Sequence, residues 1–249
     1  MKSSVFYITA TAVLSTLLSQ SCFGPNQSRG VATGQTSATA GDTADVPEEL
    51  ENAVPDPAIT KESSACVTVK TDGAIYMGGE HLPSDRLVDR VREKLKGKYS
   101  EDQIVYLKAA DDIDYGSVED VLKSLAKQGI DQVGLVVKIR TSSHLSRLKI
   151  FVTTADTVKT SPRTLLVRVT PDKKLSLNMF EIGDTSRLRT KLHEIYLERE
   201  KVDGIGAEGF VLLKAQREAR YGDLVRVVDA IAGSGSWHIA VLVDDFGVR

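Results

Sequence analysis

The chain has 249 residues, of which 41% are hydrophobic and 27% charged, and its formal net charge is −2. This length accommodates one or two domains, and the composition is sufficient for packed cores. Because there is no basic excess to neutralise phosphates, the charge balance argues against a nucleic-acid partner.

Residues 1–22 are typical of a targeting segment. Lys2 provides a positive charge, and residues 5–18 form an uncharged, mostly apolar run. This run is shorter than the roughly 20 residues that a helix needs to span a bilayer, and it fits the apolar region of a secretory signal peptide. The segment therefore predicts that the rest of the chain lies outside the cytoplasm.

Cys22 ends this segment and follows Leu18-Ser19-Gln20-Ser21. These five residues look like a bacterial lipoprotein cleavage site, although Ser19 stands where that pattern usually has an aliphatic residue. We predict that Cys22 becomes the lipidated first residue of the mature protein, on the periplasmic side of an envelope membrane. An ordinary signal peptide and a retained short anchor are the two alternatives.

Residues 23–63 are rich in Gly, Ser, Thr, Ala, Asn and Pro and contain few large apolar side chains. A segment of this composition cannot bury enough apolar surface to offset its chain entropy. We therefore predict a disordered tether between the targeting segment and the first folded unit.

Residues 64–139 are predicted to form one small domain. Two strands, at 66–70 and 74–77, flank an Asp72-Gly73 turn. An amphipathic helix follows from Ser84, and a strand, a helix and a strand then complete a right-handed parallel βαβ unit. The order ββαβαβ predicts the α+β class, with a small mixed sheet and two helices on one of its faces.

The second half of the chain repeats the first. From residue 105 to 137 the residue classes return 106 positions later without a gap, so that Tyr115-Gly116 returns as Tyr221-Gly222. We interpret this pattern as a tandem duplication, with the second domain at 163–249 and a connection at 140–162. Within the second copy, residues 198–209 are an insertion whose glycines predict a flexible loop.

The charged residues give no sign of catalysis. Asp111, Asp112 and Asp114 form the densest acidic cluster, and we interpret them as charges favoured at the start of the following helix. The four histidines show no spacing typical of metal ligands, and no nucleophile elbow or phosphate-binding loop is present. The sequence predicts a protein that is not an enzyme and has no cofactor or metal.

In the order of its features the chain resembles the periplasmic domain of the ExbD/TolR biopolymer-transport proteins. That domain has two strands around a Gly turn, a helix, and an apolar strand that leads into an acidic stretch. Tyr-Gly then opens a second helix, and Gly precedes the last strand. Residues 67–77, 105–116 and 129–137 reproduce this order, whereas the second half matches more loosely, with residues 217–220 in place of the acidic stretch.

The resemblance implies a non-enzymatic, envelope-anchored accessory of a transport complex driven by the proton-motive force. Its implied partners are motor-channel subunits or TonB-like periplasmic segments. Family members usually carry an intramembrane aspartate for proton flow, but the first acidic residue here is Asp42, so this role is not transferred. A peptidoglycan-binding or structural lipoprotein without a motor partner is the alternative.

The resemblance also implies how the domains work. Members of the family look to act as homodimers, so we expect the two copies to form a pseudo-dimer within a monomeric chain. We further expect an exposed sheet edge to accept an extended peptide, at or near residues 175–177 or at the first hairpin. The candidate edge residues of that hairpin are Ala74, Ile75, Tyr76 and Met77. The candidate contacts of the repeated motif are Tyr115, Gly116, Tyr221 and Gly222.

Overall fold

A computed structural model describes residues 46–48, 50–141, 144–157, 163–203, 209–235 and 237–243. Cys22, the targeting segment and most of the predicted tether lie outside these residues. From Val46 onward the structure differs from the predicted disorder, because Val46, Leu50 and Ile59 are buried. This stretch contains strand β1 (Val54–Pro55) and a short 3-10 helix (Pro57–Thr60).

The N-terminal half, residues 64–139, contains five strands and two helices. Its elements in chain order are β2 (Ala65–Val69), β3 (Ile75–Met77), β4 (Glu80–His81), α1 (Leu87–Leu95), β5 (Val105–Ala109), α2 (Tyr115–Ala126) and β6 (Gln132–Lys138). The predicted hairpin and βαβ unit are thus present, because β2 pairs with β3 in antiparallel orientation, whereas β5 lies parallel to both β2 and β6.

The C-terminal half, residues 163–249, has the same order of elements after a long connecting strand, β7 (Leu145–Thr153). These elements are β8 (Leu165–Val169), β9 (Leu175–Leu177), β10 (Phe180–Glu181), α3 (Thr185–Asp203), β11 (Gly209–Ala215), α4 (Tyr221–Ala232) and β12 (Trp237–Leu242). Residues 198–203 belong to α3 and Gly209 begins β11, so the predicted loop at 198–209 is wrong at both ends, and residues 204–208 lie outside the described residues.

All of these strands belong to one sheet, in the order β10-β9-β8-β11-β12-β7-β6-β5-β2-β3-β4, and β1 pairs with β7 beside this path. The mixed α+β class is confirmed, but the prediction gave each half a sheet of its own. The two halves share one sheet because β7 pairs with both inner strands. It pairs with β6 in antiparallel orientation over seven residue pairs and with β12 in parallel over three.

The main core lies between one face of the sheet and the four helices. The apolar positions of α2 that sequence spacing placed on one side, such as Val118 and Leu122, are buried there, as are Leu224 and Val228 of α4. Side chains of β7, including Ile150, join the contributions of the two halves into a single cluster. The helices of both halves therefore cover the same face.

A smaller core lies on the opposite face of the N-terminal half. There Val46 and Ile59 cover Ile104, Tyr106 and Val136. The segment is held by Asp56, whose carboxylate accepts a hydrogen bond from the Tyr106 hydroxyl at 2.8 Å and lies 2.6 Å from Nε of Arg147 in β7. Part of the predicted tether, residues 46–48 and 50–60, thus forms a strap, which packs on this face through Val46 and Ile59 and reaches the main core through Leu50 and Ala53.

Candidate functional site

The repeated Tyr-Gly motifs meet at the junction between the two halves, where α2 and α4 begin. The Tyr115 N–H donates to the Ala219 carbonyl at 2.8 Å, and the Tyr221 N–H donates to the Ile113 carbonyl at the same distance. These bonds satisfy N–H groups that have no partner within the first turn of a helix.

A second pair of hydrogen bonds extends the junction. The Gly116 N–H donates to the Arg217 carbonyl at 2.8 Å, and the Gly222 N–H donates to the Asp111 carbonyl at 2.9 Å. In both pairs the donors are 106 residues apart and so are the acceptors, which is the reciprocal pattern of a two-fold interface. The structure therefore brings all four predicted motif residues together.

The packing at this junction explains why the motif consists of a tyrosine followed by a glycine. Tyr115 and Tyr221 are fully buried in the main core, where aromatic side chains contribute large apolar areas. The glycines allow close approach, because a Cβ atom at Gly116 would lie 3.2 Å from the Arg217 guanidinium. A Cβ atom at Gly222 would overlap the Asp111 carboxylate.

Ion pairs surround the hydrogen bonds on both sides of the junction. Arg217 binds Asp120 with two parallel contacts of 2.8 and 2.9 Å, and it also lies 3.0 Å from Glu119. Glu119, which is only 3% exposed, accepts a further contact of 3.1 Å from Lys214. On the other side, Arg226 lies 2.8 Å from Asp111.

This arrangement changes the proton affinities of several groups. The hydrogen bonds from Arg217 lower the pKa of Asp120, because they stabilise its charged form. Burial raises the pKa of Tyr115, and the nearby Glu119 carboxylate raises it further. Burial alone raises the pKa of Tyr221. Neither tyrosine hydroxyl has a hydrogen-bond partner among the described residues, so both side chains serve the core.

A cleft of about 710 Å³ opens beside the junction, between the strap, α3 and α4. Its walls carry both charges, from Glu48 and Glu51 of the strap to Arg189 of α3 and Asp229 of α4. Asp229 accepts the Asn52 N–H at 2.8 Å and thereby fixes the strap against α4. Mixed charge of this kind suits a polar segment of a protein partner better than an apolar small molecule.

The predicted edge strand lies one position inside the edge. Ile75, Tyr76 and Met77 form β3, and Ala74 belongs to the preceding turn. Because β3 pairs with β2 on one side and β4 on the other, its backbone groups already have partners. The outer strands are β4 and β10, two short elements that the sequence reading did not identify.

The outer hairpin of the C-terminal half carries an apolar tip. Met179 is 90% exposed and Phe180 is 72% exposed. The tip is held in place because Asn178, in a left-handed conformation with φ +56°, accepts the Leu166 N–H on its side-chain oxygen at 2.9 Å. An Asn-Met-Phe sequence in the loop after 175–177 was the available signal for this feature.

The acidic cluster differs from the prediction in part. Asp114 is the N-cap residue of α2 but its side chain makes no capping hydrogen bond, whereas Asp111 pairs with Arg226 of the other half. Within the described ranges, no group of His, Cys, Asp and Glu side chains is arranged to hold a metal ion. None of the helices described is both long and apolar enough to cross a membrane.

Comparison with known proteins places these features in a family context. Residues 35–140 match the family described as "Biopolymer transport protein ExbD/TolR". A protein from Pseudomonas putida named "Biopolymer transport protein ExbD" is 27% identical over 94 residues. That alignment covers 38% of this chain and 66% of the relative, slightly less than two thirds of its length. Both matches support the ExbD/TolR family, and the family match ends where the N-terminal half ends.

Proposed function

Because residues 35–140 match the ExbD/TolR family, we propose that this protein is an accessory subunit of a biopolymer-transport complex. In this role it works outside the cytoplasm, where its α+β halves bind partner proteins without catalysing a reaction. The observation that carries the proposal is the family match over the N-terminal half, which the ExbD relative from Pseudomonas putida supports.

The partners that fit this role are a channel subunit of the motor and an extended periplasmic segment of TonB type. Two surfaces of the structure favour such partners. The cleft beside the junction offers paired charges, and the outer strands β4 and β10 offer free backbone groups for strand addition. The proton-motive force would reach this subunit through its partners.

The membrane attachment is proposed to be a lipid on Cys22. The apolar run at 5–18 and the Cys that follows support this arrangement. Replacing Cys22→Ala should release the protein from membranes or block its processing, as cell fractionation and the mass of the mature chain will show. A variant that stays with membranes at its normal mass would instead indicate a retained N-terminal anchor.

Co-purification from membranes tests the proposed function directly. The full chain, with a C-terminal tag, should be cross-linked in cells, solubilised in detergent and purified, and the bound proteins identified by mass spectrometry. Recovery of a motor-channel subunit supports the proposal. Recovery of peptidoglycan fragments alone, with no channel subunit, would favour a structural lipoprotein and contradict it.

Two matched proline variants show which sheet edge binds the partner. Directly after β4 the Leu82 N–H donates to the Ile75 carbonyl, so the N–H of the preceding residue, His81, points away from the sheet. Directly after β10 the Ile182 N–H donates to the Leu175 carbonyl, and the Glu181 N–H points outward in the same way. Proline at an outward position removes a donor to the partner and leaves the internal pairing intact. His81→Pro should abolish cross-linking if β4 is the binding edge, and Glu181→Pro should do so if β10 is. Cross-linking that survives in both folded variants would exclude strand addition at these edges.

A further inference from the structure

The charges at the junction are exchanged between equivalent positions of the two halves. Position 111 carries Asp and its counterpart 106 residues later, 217, carries Arg. Position 120 carries Asp, and its counterpart 226 carries Arg. The ion pair of Arg217 with Asp120 and the ion pair of Arg226 with Asp111 are therefore equivalent under the approximate two-fold symmetry. In the first pair the C-terminal half supplies the positive charge at position 217, whereas the equivalent position of the N-terminal half, 111, supplies the negative charge of the second pair.

The same junction contacts can be considered for two halves of the same kind that come from two copies of the chain. Two N-terminal halves would place Asp111 of each opposite Asp120 of the other, so that both contacts are between negative charges. Two C-terminal halves would place Arg217 of each opposite Arg226 of the other, so that both contacts are between positive charges. Opposite charges meet only when an N-terminal half contacts a C-terminal half.

The buried carboxylate strengthens this asymmetry. Glu119 lies between Lys214 and Arg217 of the other half, whereas its counterpart in the C-terminal half is Val225, which is also buried. A pair of C-terminal halves would lose this carboxylate and bring the basic side chains against valine instead. Burying charge against an apolar side chain is unfavourable.

The remaining contacts of the junction do not discriminate between the halves. The four hydrogen bonds use backbone atoms, and both halves supply the same Tyr-Gly motif. We therefore propose that the exchanged charges at 111, 120, 217 and 226 are a selection device. They make the N-terminal half fit the C-terminal half and oppose pairing of like halves between two copies of this chain. Like charges across an interface suppress wrong partners in this way.

Two variants of identical composition test the selection. The inverted variant, Asp120→Arg with Arg226→Asp, puts like charges in both contacts within the chain and opposite charges in both contacts between like halves. The paired swap, Asp111→Arg with Arg226→Asp, keeps opposite charges within the chain. Each variant has one Asp→Arg and one Arg→Asp change, so net charge is unchanged, and both leave the contacts of Arg217 with Glu119 in place.

Thermal melts and sedimentation of the full chain in detergent, over a range of concentrations, give the readout. The paired swap should melt and sediment like the original protein. The inverted variant should melt at a lower temperature and form a dimer whose fraction rises with protein concentration. Each exposed ion pair changes an equilibrium by roughly two- to fivefold, so the dimer should appear gradually and disappear at high salt.

Two outcomes would overturn the proposal. If the inverted variant melts and sediments like the paired swap, the charges do not distinguish the arrangements. If it is less stable but monomeric at every concentration, the ion pairs hold the halves together without selecting between them. Should the inverted variant fail to fold, Asp120→Asn with Arg226→Gln removes the selection without repulsion, and this variant must then show a larger dimer fraction than the original protein.

Discussion

The two halves of the molecule share a framework and differ in their surfaces. Both have a hairpin, a helix and a parallel βαβ unit in the same order, and both use a buried Tyr followed by Gly to begin the second helix. The differences lie at the outer hairpin tip, at the junction charges and on the face covered by the strap. Most positions that pack against the core and the Tyr-Gly motif at the junction are therefore retained, whereas exposed positions and the charged side chains at the junction differ in chemistry.

This comparison shows which features hold the halves together and which distinguish them. The backbone hydrogen bonds and the aromatic cores are common to both halves. Among the described residues, the carboxylate of Glu119 and the apolar tip at Phe180 each occur in one half only, and the smaller core under the strap involves only the N-terminal half. Substitutions that give one half the residue of the other can show which features stabilise both halves alike and which stabilise only one.

The largest effect is expected at the two motif tyrosines, where the halves should behave alike. Tyr115→Ala and Tyr221→Ala each remove a fully buried ring, which costs about 3–5 kcal/mol in protein cores. Chemical denaturation should give similar losses for the two variants. Tyr115→Phe and Tyr221→Phe are the controls, and they should be neutral or slightly stabilising because each removes a buried hydroxyl that has no partner among the described residues. A large loss in only one half would break the equivalence.

The next effect should appear at Glu119, where the halves differ. Glu119→Val copies Val225 and leaves Lys214 beside an apolar side chain. Loss of one member of a buried ion pair costs about 3 kcal/mol, and the free energy of unfolding from urea titration measures it. Adding Lys214→Met should recover most of the loss, since the half-buried charge opposite the new valine is then removed as well. No recovery in this double variant would mean that Glu119 stabilises the fold through another contact.

A pH-dependent effect is expected where the strap packs against the N-terminal half. Burial and the hydrogen bond to Asp56 raise the pKa of Tyr106 to about 12. A folded-state pKa above the unfolded value of about 10 favours the neutral form in the folded protein. Stability from Tyr106 is therefore complete below about pH 10 and is lost as pH rises toward 12, by about 2–3 kcal/mol.

Tyr106→Phe provides the control for this pH dependence. Denaturant titrations between pH 9 and about pH 12 should show a shallower fall in stability for the variant than for the original protein, because Phe has no proton to lose. Part of the fall should remain, since the pKa values of Tyr115 and Tyr221 are raised as well. Equal slopes for the variant and the original would rule out the assigned role of Tyr106.

The smallest effect is expected at the hairpin tips. Phe180→Glu copies Glu80, its counterpart in the first hairpin, at a position that is 72% exposed. Surface substitutions of this kind change stability by less than about 0.5 kcal/mol, so the melting temperature should hardly move. The matched reverse variant, Glu80→Phe, should be equally mild. A clear loss of stability in Phe180→Glu would show that the tip packs against the rest of the C-terminal half.

The sequence predicted the features that depend on local spacing. The helical spacing of Val118, Val121 and Leu122 located α2, and the 106-residue offset identified both Tyr-Gly motifs before their contact was known. These signals suffice because residues close in sequence determine which face of a helix is apolar. The α+β class follows from the order of such elements.

The features that were missed depend on contacts between distant parts of the chain. In the connection at 140–162 the sequence predicts at most a short further strand at Ile150-Phe151-Val152, yet nine residues form β7, because both inner strands offer partners for it. The strap has few apolar residues, and Val46 and Ile59 gain stability only from the sheet beneath them. The pairing of Arg217 with Asp120 joins residues 97 positions apart, which no local pattern indicates.

The central position of β7 has a mechanical consequence. Five strands lie on each side of it, and the strap is fastened to it twice, through the pairing of β1 and through the contact of Asp56 with Arg147. A pull on the chain ahead of Val46 first reaches Lys138 of β6, which Pro47 and Leu50 contact, and then β7 beside it, so the load enters the middle of the sheet. Such a load acts on both halves at the centre of the sheet, and the outer strands β4 and β10 are not the first to separate from it.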